Sequence, residues 1–278
     1  MILDGKIVKK EILDNLKEEV LNLQEKPKLV VIQVGNNESS NIYINQKIKM
    51  CNSVGYTYEH IKLNDNVKTE EVITIIDELN KDNSVNGILV QMPLPSHLDE
   101  KIIQNRINEY KDVDGLTDIN SGKLLHKKEC LSPCTPLGII ELLKRYNINI
   151  EGKNIVVLGR SILVGKPLVN MLINENATVT VCHSKTQNIE EHTKRADILI
   201  VAIGSPKKIT KDMVKENSII IDVGITKVDN QIYGDVDFEN VKDKVKYITP
   251  VPGGIGQMTV AMLAKNILKA YKIQKNVK

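Results

Sequence analysis

Two hydrophobic rhythms alternate along the chain. KLVVIQVG (28–35), YTYEHIKL (56–63) and NGILVQMP (86–93) are short and rich in β-branched residues, as strands are. Segments 38–54 and 69–80 between them carry apolar residues at helical spacing, and so does the opening stretch MILDGKIVKKEILDNLKEEV. Strand, helix and strand in repetition predict a parallel sheet, because parallel strands need a long crossover. The order restarts after LSPCTPLGIIELLKRYNI (131–148), where two prolines precede an apolar periodic helix. NIVVLG (154–159), ATVTVCH (177–183), ADILIVAIG (196–204) and SIIIDVGI (218–225) are near-continuous apolar runs, the pattern of parallel strands covered on both faces. Residues 256–272 predict a last amphipathic helix, and no internal repeat or low-complexity tract interrupts the pattern. The expected fold class is α/β in two domains, each with a parallel sheet.

The size of the chain agrees: 278 residues, 41% of them hydrophobic, suffice for two modest cores. The 38 basic and 35 acidic side chains nearly cancel and are interspersed. That excludes the clustered basic field needed by nucleic acid or an anionic membrane, while leaving room for a small anionic ligand. The longest uncharged run, 247–264, is broken early by Pro250, Pro252, Gly253, Gly254 and Gly256, and predicts a strand, a turn and a helix instead of a membrane span. The first residues lack the apolar core of a signal peptide, and four cysteines in a chain this large predict reduced thiols in the cytoplasm. His126, Cys130 and Cys134 are regularly spaced, yet no fourth ligand lies nearby and no CxxC is present, so no metal site is expected.

GRSILVGKP (159–167) leaves a strand and opens a helix, the setting of a dinucleotide-binding turn. Gly159 permits the tight turn, Ser161 is small enough for a pyrophosphate to approach the backbone, and Gly165 permits close helix packing; free N–H groups at the helix start favour an anion. The motif departs from GxGxxG, since Ser161 replaces the second glycine and the third falls one position late. The next strand ends in Cys182, His183, Ser184 and Lys185, where an NAD site would carry a carboxylate for the ribose. A hydroxyl and cations favour a 2′-phosphate, hence NADP, with Arg160 and Ser184 as the expected contacts.

Tyr43 and Lys47 stand four positions apart on a predicted helix and so share a face. Alone, the pair could be a solvated surface. A Tyr-x-x-x-Lys pair serves short-chain dehydrogenases, but there it follows the nucleotide turn, whereas here it precedes Gly159 by more than a hundred residues. GILVQMPLP (87–95) places Gln91 at the end of a strand, KDVDGLT (111–117) places Asp112 and Asp114 in a polar turn, and ITPVPGGIGQMT (248–259) supplies a glycine-rich turn before the last helix.

Together, in this order and over nearly the whole chain, these segments resemble bifunctional methylenetetrahydrofolate dehydrogenase/methenyltetrahydrofolate cyclohydrolase. The resemblance implies a folate-binding catalytic domain over 1–135 and 256–278, and a Rossmann-type NADP domain over 136–255. The last helix would return to the first domain, and a cleft would bring folate and nicotinamide together. It implies Lys47 as the catalytic lysine, Tyr43 stacking on or orienting the pterin, Gln91 hydrogen-bonding the lysine and Asp114 binding the pterin edge. Gly159, Arg160, Ser161, Ser184 and Ile225 match the NADP contacts. It further implies tetrahydrofolate one-carbon derivatives as substrates, a homodimer, and service to purine, methionine and histidine biosynthesis.

One departure stands out: Gln257 occupies a position after GGxG that is commonly proline in the family. On local sequence Asp114 could also be a turn-forming residue before Gly115, the role expected of Asp112. Two other readings account for less of the chain. A dehydrogenase with an amino-acid substrate domain leaves Tyr43, Lys47, Gln91 and Asp114 unexplained, and a nucleotide-sensing regulator needs no reactive lysine.

Overall fold

The structure is a computed structural model that describes residues 1–229 and 231–276. In chain order, α1 (Gly5–Leu21) leads into β1 (Lys28–Val34), α2 (Glu38–Val54), β2 (Thr57–Leu63), α3 (Thr69–Lys81) and β3 (Gly87–Val90). Two helices follow, α4 (Glu100–Arg106) and α5 (Asp118–Leu125), and then α6 (Cys134–Arg145). Next come β4 (Asn154–Leu158), α7 (Gly165–Asn174), β5 (Thr178–Cys182), α8 (Ile189–Thr193), β6 (Ile198–Val201) and β7 (Ile219–Asp222). The chain continues through β8 (Thr226–Val228), β9 (Gln231–Tyr233), α9 (Phe238–Val241), β10 (Tyr247–Ile248) and α10 (Ile255–Lys275). Every predicted strand and helix is present.

The chain forms two compact units, one of residues 11–134 and 260–278, the other of residues 1–10 and 135–259. In the first unit β1 is the central strand of a parallel sheet ordered β2-β1-β3. Its core gathers Val30, Ile32, Ile76, Ile88 and Ile103. β2 sits at the edge with no residue fully buried, which accounts for its alternation of Tyr, Glu, His and Lys. The later half of α10 belongs to this unit: Tyr56 Oη donates to the Ala264 carbonyl at 2.9 Å, and Asn266 Nδ2 donates to the carbonyls of Val113 and Ser132, both at 2.8 Å. The last helix therefore does return to the first domain.

In the second unit five parallel strands run in the order β10-β7-β6-β4-β5. The order reverses between β4 and β6, the switch point beside which doubly wound folds place their ligands. Four of its strands are buried, whereas β5 is an exposed edge in which threonine alternates with valine. The first ten residues join this unit and not the first, because Ile2 bridges Ile248 and Leu3 N–H donates to the Ile248 carbonyl at 2.9 Å. An antiparallel hairpin of β8 and β9, not anticipated from sequence, follows β7. Among the described residues no helix is long and apolar enough to cross a membrane.

Candidate active site

Strand β3 ends where Gln91 begins. Gln91 N–H donates to the Ile32 carbonyl at 2.8 Å, so its backbone is fastened to the central strand. The side chain turns toward α2, where Lys47 Nζ donates to Gln91 Oε1 at 2.8 Å, and Gln91 Nε2 donates to its neighbour's carbonyl, Met92 O, at 2.6 Å. Since the Gln91 amide N–H is spent on Met92, its oxygen faces the amine; the flip is fixed by the network. Asn37 caps α2 by accepting from Ser40 N–H, and Gly55 closes it at φ +91°.

Burial pushes the Lys47 amine below its ordinary range, opposed by the nearby Asp114 carboxylate. Cys134 lies against the same carboxylate. Burial, then the Asp114 charge and a hydrogen bond to it, push that thiol well up, so it stays neutral. Lys47, Gln91, Asp114 and Cys134 therefore form one cluster, and Cys134 is the member that sequence reading weighed only as a metal ligand. Tyr43 shares the Lys47 face of α2 and is 43% exposed, available to a flat ring.

The two aspartates of KDVDGLT separate cleanly. Asp112 is fully buried and accepts from Leu116 N–H at 3.2 Å, Thr117 N–H at 2.8 Å, Asn120 Nδ2 at 2.9 Å and Gln104 Nε2 at 3.3 Å. It organises the turn at the start of α5. Asp114 is only half-buried and keeps its carboxylate for the lysine cluster. Gly115, at φ +69°, lies against the backbone of Ser132 and Pro133 so tightly that a Cβ there would stand 2.4 Å from Ser132 C.

In the second unit Gly159 follows β4 at φ +117°, where a Cβ would meet the Ala202 carbonyl oxygen at 2.2 Å. A Cβ at Gly165 would meet the Gly159 carbonyl oxygen at 2.3 Å. Turn and helix thus touch through glycine alone. Ser161 does more than stay small: its Oγ accepts from Val164 N–H at 3.2 Å and Gly165 N–H at 3.4 Å, capping α7. After β5, His183 N–H donates to Thr186 Oγ1 at 2.9 Å and Lys185 N–H to His183 Nδ1 at 3.2 Å. This turn leaves Ser184 and Lys185 exposed. Arg160 is also exposed, and Ile225 lies 49% exposed beyond β7.

Gln257 pairs with Lys9, whose Nζ donates to Gln257 Oε1 at 3.1 Å, while Gln257 N–H donates to the Gly254 carbonyl at 3.1 Å, a bond proline could not make. A cavity of about 330 Å³ opens elsewhere, at the amino ends of β4, β6 and β7, lined among others by Lys153, Asp197, Lys215 and Tyr247. It contains none of the candidate site residues. Among the described residues no three His, Cys, Asp or Glu side chains gather as a metal site, and all four cysteines are free thiols.

A desolvated amine held by an amide in one unit, and a glycine turn at the switch point of a Rossmann-type sheet in the other, are the marks of a nucleotide-linked enzyme. Comparison with known proteins names the family. The family model "Tetrahydrofolate dehydrogenase/cyclohydrolase, catalytic domain" matches residues 3–114, and "Tetrahydrofolate dehydrogenase/cyclohydrolase, NAD(P)-binding domain" matches residues 133–275. The chain belongs to the tetrahydrofolate dehydrogenase/cyclohydrolase family. "Bifunctional protein FolD" of Sulfurihydrogenibium sp. is 51% identical over 278 residues, 98% of each chain. The crystal structure of the bifunctional FolD enzyme from Campylobacter jejuni superposes with a TM-score of 0.97 at 45% identity, over 98% of this chain and 99% of that one. The Trypanosoma brucei enzyme, solved with NADP cofactor and inhibitor, does so with a TM-score of 0.94 at 36% identity, over 98% and 97%.

Proposed function

We propose that the protein oxidises 5,10-methylenetetrahydrofolate with NADP to the methenyl compound and then hydrolyses that to 10-formyltetrahydrofolate. The observation that carries this reading is the desolvated Lys47 amine 2.8 Å from Gln91 Oε1. Folate falls to residues 11–134 with 260–278, and the nucleotide to residues 135–259, without a metal.

Hydride loss from the methylene bridge leaves a cation spread over two nitrogens, with no hydroxyl proton to remove. The protein's part in that step is positioning. Tyr43 offers a ring face to the pterin. Asp114 offers two acceptor oxygens to the N3–H and 2-amino donors at the pterin edge, a bidentate match. Opening the methenyl ring with water does need proton transfers, and Lys47 is the group to make them. To be half neutral at pH 7 an amine must feel an environment that disfavours its charge by roughly 4 to 5 kcal/mol. Burial pushes Lys47 in that direction, a nearby methenyl cation would push further, and Gln91 accepts from the amine without adding the negative charge that would oppose it.

For the nucleotide, the chain fits by its glycines at 159 and 165, where no Cβ has room, and by the absence of a carboxylate at the end of β5. Gly159 and Ser161 would hold the pyrophosphate at the start of α7, Arg160 and Ser184 a 2′-phosphate, and Ile225 would line the site. NADP supplies the hydride acceptor.

We further assign a cytoplasmic homodimer that feeds one-carbon units to purine, methionine and histidine biosynthesis. The free cysteines support the compartment, and the family supports the rest. Mixing methylenetetrahydrofolate with NADP or NAD in turn tests the activity, since the methenyl band, its later decay and NADPH are separable by absorbance. Failure of both signals would overturn the assignment. Light scattering of the purified protein tests the dimer.

A further inference from the structure

The segment GDVD (234–237) belongs to no predicted role, yet it carries a fully buried carboxylate, Asp235, whose N–H rests on a second buried one, Asp222. Asp235 is completely buried, and three consecutive backbone N–H groups point at it: Ile203 at 2.7 Å and Gly204 at 3.0 Å on Oδ2, Ser205 at 2.7 Å on Oδ1. Gly204 adopts φ +64° to complete this concavity. Such a row of N–H groups is a ready anion cradle, and here the chain's own carboxylate fills it.

Asp235 is held in turn. Asp222, at the end of β7 and 3% exposed, accepts from Gly224 N–H and Asp235 N–H on Oδ1, both at 3.0 Å, and from Val236 N–H on Oδ2 at 2.9 Å. Both carboxylates press on glycines. A Cβ at Gly224 would stand 2.3 Å from Asp235 Cγ, and one at Gly234 would stand 2.0 Å from Asp222 Oδ2. The segment is kept parallel to 207–209 by the Ile209–Val236 bridge.

The loops so fixed are not arbitrary. Residues 202–205 leave the carboxyl end of β6 and touch Gly159 across the switch point, and residues 223–225 leave β7 beside them. Each presents an exposed isoleucine, Ile203 at 36% and Ile225 at 49%. We propose that Asp235, seated on Asp222, is a positioning residue for the nucleotide. By occupying the 203–205 cradle it holds both loops in the shape that receives NADP, and it leaves the turn at Gly159 as the anion site. This rests on the NADP reading above.

Asp235→Asn tests it. An amide has one acceptor oxygen, and its NH2 would face N–H donors, so the cradle cannot be satisfied. In nucleotide-free protein, hydrogen exchange of amides 203–205 should accelerate about tenfold or more. The NADPH dissociation constant, read by its fluorescence, should rise by about the same factor. Hydrolysis of methenyltetrahydrofolate supplied directly, without nucleotide, should stay within about twofold per folded molecule. Asp222→Asn, which keeps an acceptor for Asp235 N–H, should give the same pattern at about threefold, and it decides the matter if Asp235→Asn does not fold. Unchanged NADPH affinity in the folded variants, or a parallel fall of binding and hydrolysis, would overturn the proposal. A wild-type protein that binds no NADPH would instead overturn the function from which it starts.

Discussion

Lys47 Nζ and Gln91 Oε1 meet at 2.8 Å across the gap between α2 and the end of β3, and the glutamine's amide NH2 donates to Met92 O. A neutral acceptor thus faces a desolvated amine whose proton can leave without breaking an ion pair with it.

Replacing Lys47 with arginine keeps a donor but removes the proton exchange, because guanidinium does not deprotonate. Methenyl hydrolysis should fall by about 10²- to 10⁴-fold. NADPH affinity, measured by fluorescence, should be unchanged.

Gln91→Glu tests the electrostatics directly. A carboxylate beside Lys47 favours the charged amine and raises its pKa, by about one to two units. The rising limb of the pH–rate profile for methenyl hydrolysis should move to higher pH by that amount, and the rate at pH 7 should drop. An unmoved limb would show that Lys47 is not the titrating group.

Gly165→Ala should weaken NADPH binding by about tenfold or more, since the added Cβ meets the Gly159 carbonyl oxygen at 2.3 Å and must spread the turn from the helix. Directly supplied methenyltetrahydrofolate should still be hydrolysed. Fluorescence titration and the decay of the methenyl band give the two readouts.

Asp222 links pH to stability. Burial, assisted by the Asp235 charge, raises its carboxyl to about 6 from an ordinary 3.8. A raised carboxylate stabilises the fold fully below the unfolded value and ceases to do so as pH climbs through the folded one. Relative to Asp222→Asn, the wild type should therefore gain about 2–3 kcal/mol between pH 7 and pH 4. Urea denaturation of both proteins at the two pH values checks it, because their other carboxylates cancel in the difference.

Much of this was legible in the sequence, for identifiable reasons. Parallel strands buried on both faces leave apolar runs, and the glycines of 159–165 mark a turn that no other residue fits. Where expected strands overran, a side chain ended them: 196–204 stops at Val201 because Asp235 gathers the next amides, and 218–225 stops at Asp222. α4 and α5 leave little periodic signal because each is short and its start is set by a local cap, Asp99 accepting from Ile102 N–H and Thr117 from Asn120 N–H. The membership of residues 1–10 depends on a bridge to Ile248, a pairing across almost the whole chain that local periodicity cannot carry. Cys134 entered the lysine cluster only through tertiary structure, although its place on an apolar helix signalled a buried thiol.

The backbone of Gln91 is fastened to the innermost strand of its sheet, while Tyr43 lies near the open face of a neighbouring helix. The amide that accepts from Lys47 is thereby anchored to a buried strand, while the ring of Tyr43 stands on the exposed side of the helix that carries the amine. Substitutions at the exposed Ile42, Tyr43, Asn45 and Gln46 should therefore leave the Lys47–Gln91 hydrogen bond in place while changing the surface beside it.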